Sequence, residues 1–176
     1  MIPGDLDAPG FFEACFCHKV YRKNEIEARP MQVKPIIIPW SEVRKDSEWL
    51  NVTQAESYTV SYVLRHPEVV APDLELLGTE VALPDGEGVK SNRTPAKLAF
   101  ADIVFATKDR RLFYLVEAKE SEKQKSEGVE QAAHNSELLQ AALRKNGIES
   151  EVIAIFAAVR YPHSDEYGYL QGQKLG

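Results

Sequence analysis

The hydrophobic pattern of the chain switches between a period of two and a period of three to four, and those switches predict its elements. LELLGTEVALP, ending at Pro84, reads as a strand, and DGEGVKSNRTPAK after it reads as a loop marked by two glycines and Pro95. Two further strands are predicted at about 100 to 107 and 112 to 119, joined by the polar KDRR as a tight hairpin. EVIAIFAAV, residues 151 to 159, is apolar on both faces and predicts a central strand. Helical spacing appears in two places. From about 47 to 66, Trp49, Val52, Val60, Val63 and Leu64 fall on one stripe that ends at Pro67, with Tyr58 and Tyr62 off it. From 127 to 145, Val129, Ala132, Ala133, Leu139 and Leu143 are expected inward, with Gly147 as the stop signal.

The order is therefore helix, three strands, helix, strand. A strand that returns after a helix normally pairs parallel, so the expectation is an α/β fold with a mixed central sheet flanked by helices. Residues 1 to 46 read as an N-terminal arm: Pro3, Pro9, Pro30, Pro35 and Pro39 punctuate it, and pieces such as MQVKPIIIP fit edge strands. Residues 47 to 176 form the expected domain.

Composition narrows the setting. The 176 residues, 44% hydrophobic, suffice for one core without staples. A net charge of -6 gives no overall field that would hold the molecule on nucleic acid or an anionic membrane, so any such contact must be local. Cys15 and Cys17 flank one residue and cannot easily pair, which points to a reducing compartment. FFEACFC carries Glu13 and follows acidic residues, and no long apolar stretch occurs elsewhere; a soluble cytoplasmic protein is expected, with no membrane partner.

Charges inside the two hairpin strands change the picture. With a loop of two or four residues, 108 faces 111, so paired positions sum to 219 and Asp102 lies opposite Glu117. Lys119 shares the face of Glu117, among Val104, Phe113 and Leu115. A three-residue loop would shift this pairing. Opposed carboxylates on a half-buried sheet repel unless a cation compensates them. Lys119 alone can do so as a structural ion pair; a hard divalent ion is the alternative, since converging carboxylate and carbonyl oxygens suit Mg²⁺. Glu56 falls near the centre of the first helical stripe and is expected to face the sheet. Thr53 with Glu56 three residues on also fits a capping box at a helix start.

Asp102 followed by Glu117-Ala118-Lys119 resembles the PD-(D/E)XK nuclease superfamily, in which an Asp and an E-x-K on adjacent strands hold a metal. QAESYTVSYVLRHPEVV and LELLGTEVALP resemble the helix, His/Asn-Pro turn and first strand of the mismatch-endonuclease and Shedu-type branches, and Gln131 in EQAAHN matches a glutamine on the later helix. The likeness covers about residues 50 to 160. Ala101 replaces the proline before the aspartate, and Asn135 stands where many members have tyrosine.

The resemblance implies a restriction-endonuclease-like αβββαβ core and a Mg²⁺- or Mn²⁺-dependent deoxyribonuclease. Asp102, Glu117, the Ala118 carbonyl and Glu56 would hold the metal, Lys119 would orient the attacking water, and Gln131 would position Lys119 or a phosphate. Lys90, Arg93 and Lys97 in the loop are candidate DNA contacts, and Glu80 is a reserve ligand or simply the outward position of its strand. Cys15, Cys17 and His18 lack a second pair at ligand spacing, and His134 reads as a helix-surface residue. Two functions follow: an endonuclease of repair or of defence against foreign DNA, and a catalytically inactive nucleic-acid-binding or protein-assembly module on the same fold. Assembly as a homodimer or larger oligomer is left open.

Overall fold

A computed structural model describes residues 31–47, 55–84 and 98–162. Its elements are β1 (Val33–Pro39), α1 (Trp40–Ser47), α2 (Ala55–Arg65), β2 (Leu74–Pro84), β3 (Leu98–Thr107), β4 (Leu112–Lys119), α3 (Lys125–Lys145) and β5 (Glu151–Arg160). They form one five-stranded sheet in the order β1-β5-β4-β3-β2. β5 runs parallel to both β4 and β1, whereas β3 is antiparallel to β4 and β2, so the class is α/β with a mixed sheet. Among the described residues no helix is long and apolar enough to cross a membrane.

The KDRR loop sets the central register. Arg110 takes a left-handed φ of 57°, and Thr107 Oγ1 donates to Asp109 Oδ1 at 2.6 Å while that oxygen also accepts from the Arg111 N–H. Four loop residues then separate strands ending at Thr107 and starting at Leu112. The resulting pairs, Ile103 with Val116 through Ala106 with Phe113, all sum to the expected 219.

β5 is central and buried over Ala154 to Val159, as its unbroken apolar run predicts. α3 ends in a Schellman motif: Gly147, at φ 73°, donates to the Arg144 carbonyl and Ile148 to the Leu143 carbonyl, each at 3.0 Å. Its buried residues are Gly128, Ala132, Asn135, Ser136, Leu139 and Leu143. Val129 and Ala133, expected inward, are half-buried because both lie on one flank of the docked face, which is centred near Ala132 and Leu139.

Two core layers sandwich the sheet. One combines Ile103, Phe105, Val116 and Ile155 with Val43 of α1 and Val63 of α2; the other combines Val104, Phe113 and Leu115 with Leu139 and Leu143 of α3. Tyr58 and Tyr62, expected off the helical stripe, are half-buried against the first layer, Tyr58 with its ring edge-on to Trp40 at 5.8 Å. The edge strand expected in MQVKPIIIP is β1, but α1 directly after it has no counterpart in the expected arm. Among its residues Val43 is the fully buried apolar contact, too sparse a pattern to read in advance. Trp49, Val52 and Thr53, and with them the capping-box alternative, lie outside the described residues, as do Cys15, Cys17 and His18.

Candidate metal centre

Glu117 and Lys119 stand at the C-terminal end of β4, where the sheet changes from parallel to antiparallel pairing. In open α/β sheets ligands bind beyond the carboxyl ends of the strands. Both side chains turn toward α3 and both are buried, Glu117 at 5% and Lys119 at 9% exposure. Lys119 Nζ is 3.7 Å from Glu117 Oε1 and 3.8 Å from Glu127 Oε1 of α3. These are ion-pair contacts, too long for hydrogen bonds. The ammonium is thus held near two carboxylates with its donors poorly engaged.

Asp102 meets β4 in a different way from the alternation expected. Backbone pairing of β3 with β4 stops at Ile103↔Val116, and one step further the Asp102 carboxylate replaces the backbone partner, accepting the Ala118 N–H at Oδ2 over 2.6 Å. In an extended strand a residue's N–H and C=O point to the same side. The Ala118 carbonyl therefore faces the side on which Asp102 lies. At this level β3 also changes face: Ile103 packs in the layer of α1 and α2, whereas Ala101 packs in the layer of α3.

Glu80 lies at the same level on β2. The β2–β3 ladder pairs Thr79 with Ile103 and Val81 with Ala101, omitting the position between, and Glu80 takes φ 49°. A non-glycine residue in this left-handed region costs on the order of 1 kcal/mol or more. The strain coincides with the point where Asp102 leaves the regular sheet. Glu80 itself is exposed.

The structure brings three further residues to the expected centre. Asn135 Nδ2 donates to Glu117 Oε2 at 3.3 Å and to the Phe100 carbonyl at 3.0 Å. Gly128 permits close passage of α3: a Cβ there would lie 3.0 Å from Lys119 Cγ. Glu127 supplies the second carboxylate near Lys119. Gln131 falls between Gly128 and Asn135 on the same stripe, and its Oε1 is buried without a hydrogen-bond partner among the described residues. An orphaned buried acceptor costs roughly 1–3 kcal/mol, so a donor from water, ligand or a shifted side chain is expected there.

α2 packs on the opposite layer of the sheet and touches the strand end through Thr59, whose Oγ1 donates to the Lys119 carbonyl at 2.8 Å. Glu56 is in this helix, one turn ahead of Thr59; its side chain lies outside the described residues. Lys90, Arg93 and Lys97 also lie outside them. His134 is exposed, as expected. Among the described residues no group of three or more His, Cys, Asp or Glu converges in a metal-binding arrangement. The set to be tested is thus two carboxylates with main-chain oxygen, Glu56 aside.

A separate cleft of about 1180 Å³ opens at the other end of the sheet, between Thr107, Arg111, Arg144 and Glu151. It mixes Lys108, Arg111 and Arg144 with Asp73, Asp109, Glu149 and Glu151, and it has no connection to Glu117 or Lys119. No protein-family model, curated protein or solved structure matches the chain.

Proposed function

We propose that the chain is a metal-dependent endonuclease that hydrolyses DNA phosphodiester bonds on a restriction-endonuclease-like αβββαβ core, in repair or in defence against foreign DNA. The observation that carries this reading is the end of β4. There a buried Glu117–Lys119 pair meets an Asp102 carboxylate that has replaced the backbone ladder at Ala118. The Asp102 carboxylate thereby reaches the backbone of the residue between Glu117 and Lys119.

Asp102, Glu117 and the Ala118 carbonyl, with Glu56 from α2, would hold Mg²⁺ or Mn²⁺; hard oxygen donors are the chemistry these ions require. When bound, the ion supplies Lewis acidity toward a phosphate oxygen and a more acidic water. Lys119 donates to the attacking water and to the charge that develops on the phosphoryl oxygens, a task open to an ammonium whose present contacts are 3.7 and 3.8 Å. Gln131 directs its amide toward the lysine or a phosphate. Lys90, Arg93 and Lys97 supply local backbone contacts that a net charge of -6 cannot supply globally.

The second reading, a non-enzymatic nucleic-acid-binding or protein-assembly module, draws on the same ion pair, because Lys119 already compensates Glu117. Incubation of circular and linear DNA with the protein in Mg²⁺, Mn²⁺ or EDTA separates the two. Metal-dependent cleavage that Asp102→Ala abolishes is expected. Cleavage that persists equally in Asp102→Ala would remove Asp102 from the chemistry, and none by the wild type on any substrate would favour the module.

A further inference from the structure

We infer that Asn135 is the positioning residue of this centre, bridging the two strands that carry Asp102 and Glu117 where the backbone no longer joins them. The inference rests on the metal-centre reading above.

The β3–β4 ladder ends at Ile103↔Val116, so Asp102 and Glu117 lie on strands with no backbone pair at their level. Asn135 spans that gap from above. Its Nδ2 is 3.3 Å from Glu117 Oε2 on β4 and 3.0 Å from the carbonyl of Phe100, two residues before Asp102 on β3. Both partners are acceptors, so only the amide nitrogen can face them, and its two N–H groups are both used. The amide is thereby fixed in one orientation. Holding Oε2 leaves Oε1 of Glu117 turned toward Lys119.

Burial adds weight to a positioning role. Asn135 is 5% exposed on a helix face that it shares with Gly128, Ala132, Ser136, Leu139 and Leu143. A leucine, with the same branching and the same number of side-chain heavy atoms, would sit there without the cost of desolvating an amide. What leucine cannot do is hold a carboxylate and a neighbouring strand at once. Partners behind ligating groups set ligand orientation, and their removal typically weakens metal binding ten- to a hundredfold.

The test measures Mn²⁺ affinity and the electron paramagnetic resonance spectrum of bound Mn²⁺ for wild type, Asn135→Leu and Asn135→Thr, each kept below its melting temperature. Melting in EDTA reports folding separately. The expected result is Mn²⁺ binding weakened roughly tenfold or more in both variants, with an altered bound-ion spectrum. Asn135→Thr guards against misfolding of the leucine variant, since its single hydroxyl donor cannot serve both partners. Unchanged affinity and spectrum in either folded variant, with only a lower melting temperature in EDTA, would make Asn135 a packing residue and overturn the inference. No Mn²⁺ binding by the wild type would instead overturn the metal centre itself, and the inference with it.

Discussion

Replacing Gly128 by alanine sets two effects of opposite sign against each other at the seat of Lys119. Within a helix alanine is favoured over glycine by at most about 0.5–1 kcal/mol, and Gly128 is the fourth residue of α3. Against this, the new Cβ would lie 2.4 and 2.5 Å from two ring carbons of Phe156 and 3.0 Å from Lys119 Cγ. Carbon atoms rest about 3.5–4.0 Å apart, so the overlap with the ring is about 1 Å. Phe156 is fully buried in β5 between two paired strands, so its ring cannot swing out to solvent. Either α3 lifts or β5 shifts, and overpacking of this kind costs about 1–3 kcal/mol, occasionally more. The steric cost wins, and a net loss of about 2 kcal/mol is expected. Urea unfolding of wild type and Gly128→Ala measures it as a lower midpoint at unchanged slope. Gly147→Ala is the control: nothing lies within 4 Å of its Cβ, and φ 73° alone penalises it by about 1 kcal/mol. A Gly128→Ala protein as stable as wild type would refute the close approach of α3 to β5, and with it the placement of the lysine stem between them.

Three other outcomes test separate links. Mn²⁺ binding to the native state raises the melting temperature of the wild type by mass action, and Asp102→Asn removes most of that rise; an equal rise in both excludes Asp102 as a ligand. Lys119→Met leaves metal-supported DNA binding nearly intact while cleavage falls by orders of magnitude, because a transition-state contact is lost. If the lysine is only a counter-ion, the same variant instead loses about 3–5 kcal/mol of stability in metal-free buffer. His66 faces Asp46 of α1 through Nε2 and Glu68 through Nδ1, and the hydrogen bond to Asp46, with that to Glu68, holds its pKa above the ordinary 6.5 despite partial burial. The imidazolium is thus favoured by folding: its stabilisation is complete below about pH 6.5 and is lost as pH rises through the higher native value. Melting temperatures above pH 6.5 should therefore fall for wild type relative to His66→Gln, and parallel curves would contradict the clamp between α1 and α2.

Much of the sheet was legible because local chemistry fixed it. The four polar residues of KDRR close the hairpin at one register, which the backbone ladder keeps as far as Ile103↔Val116. An unbroken apolar run of strand length fits an interior strand, and a glycine just past the last helical residue fits a stop, as β5 and Gly147 turn out to be. What was not legible depends on docking. Asn135 and Gly128 look like weak helix residues until the phase of α3 against β4 is known. The change of face at Asp102 escaped strict period-two reasoning because a side chain, not the backbone, takes the Ala118 N–H there. α1 escaped because its eight residues carry only Trp40 and Val43 as apolar contacts.

The nuclease reading stands on a divalent-metal centre formed by the end of β4 and Asp102. A crystal structure of the protein grown with Mn²⁺, recorded with anomalous scattering from manganese, tests it without recourse to any substrate. An anomalous peak is expected between the Asp102 and Glu117 carboxylates and the Ala118 carbonyl, at roughly 2.0–2.3 Å from the oxygens, as hard cations require. Manganese bound only elsewhere, or no peak while Lys119 stays paired with Glu117, would contradict it and leave the lysine as a structural counter-ion.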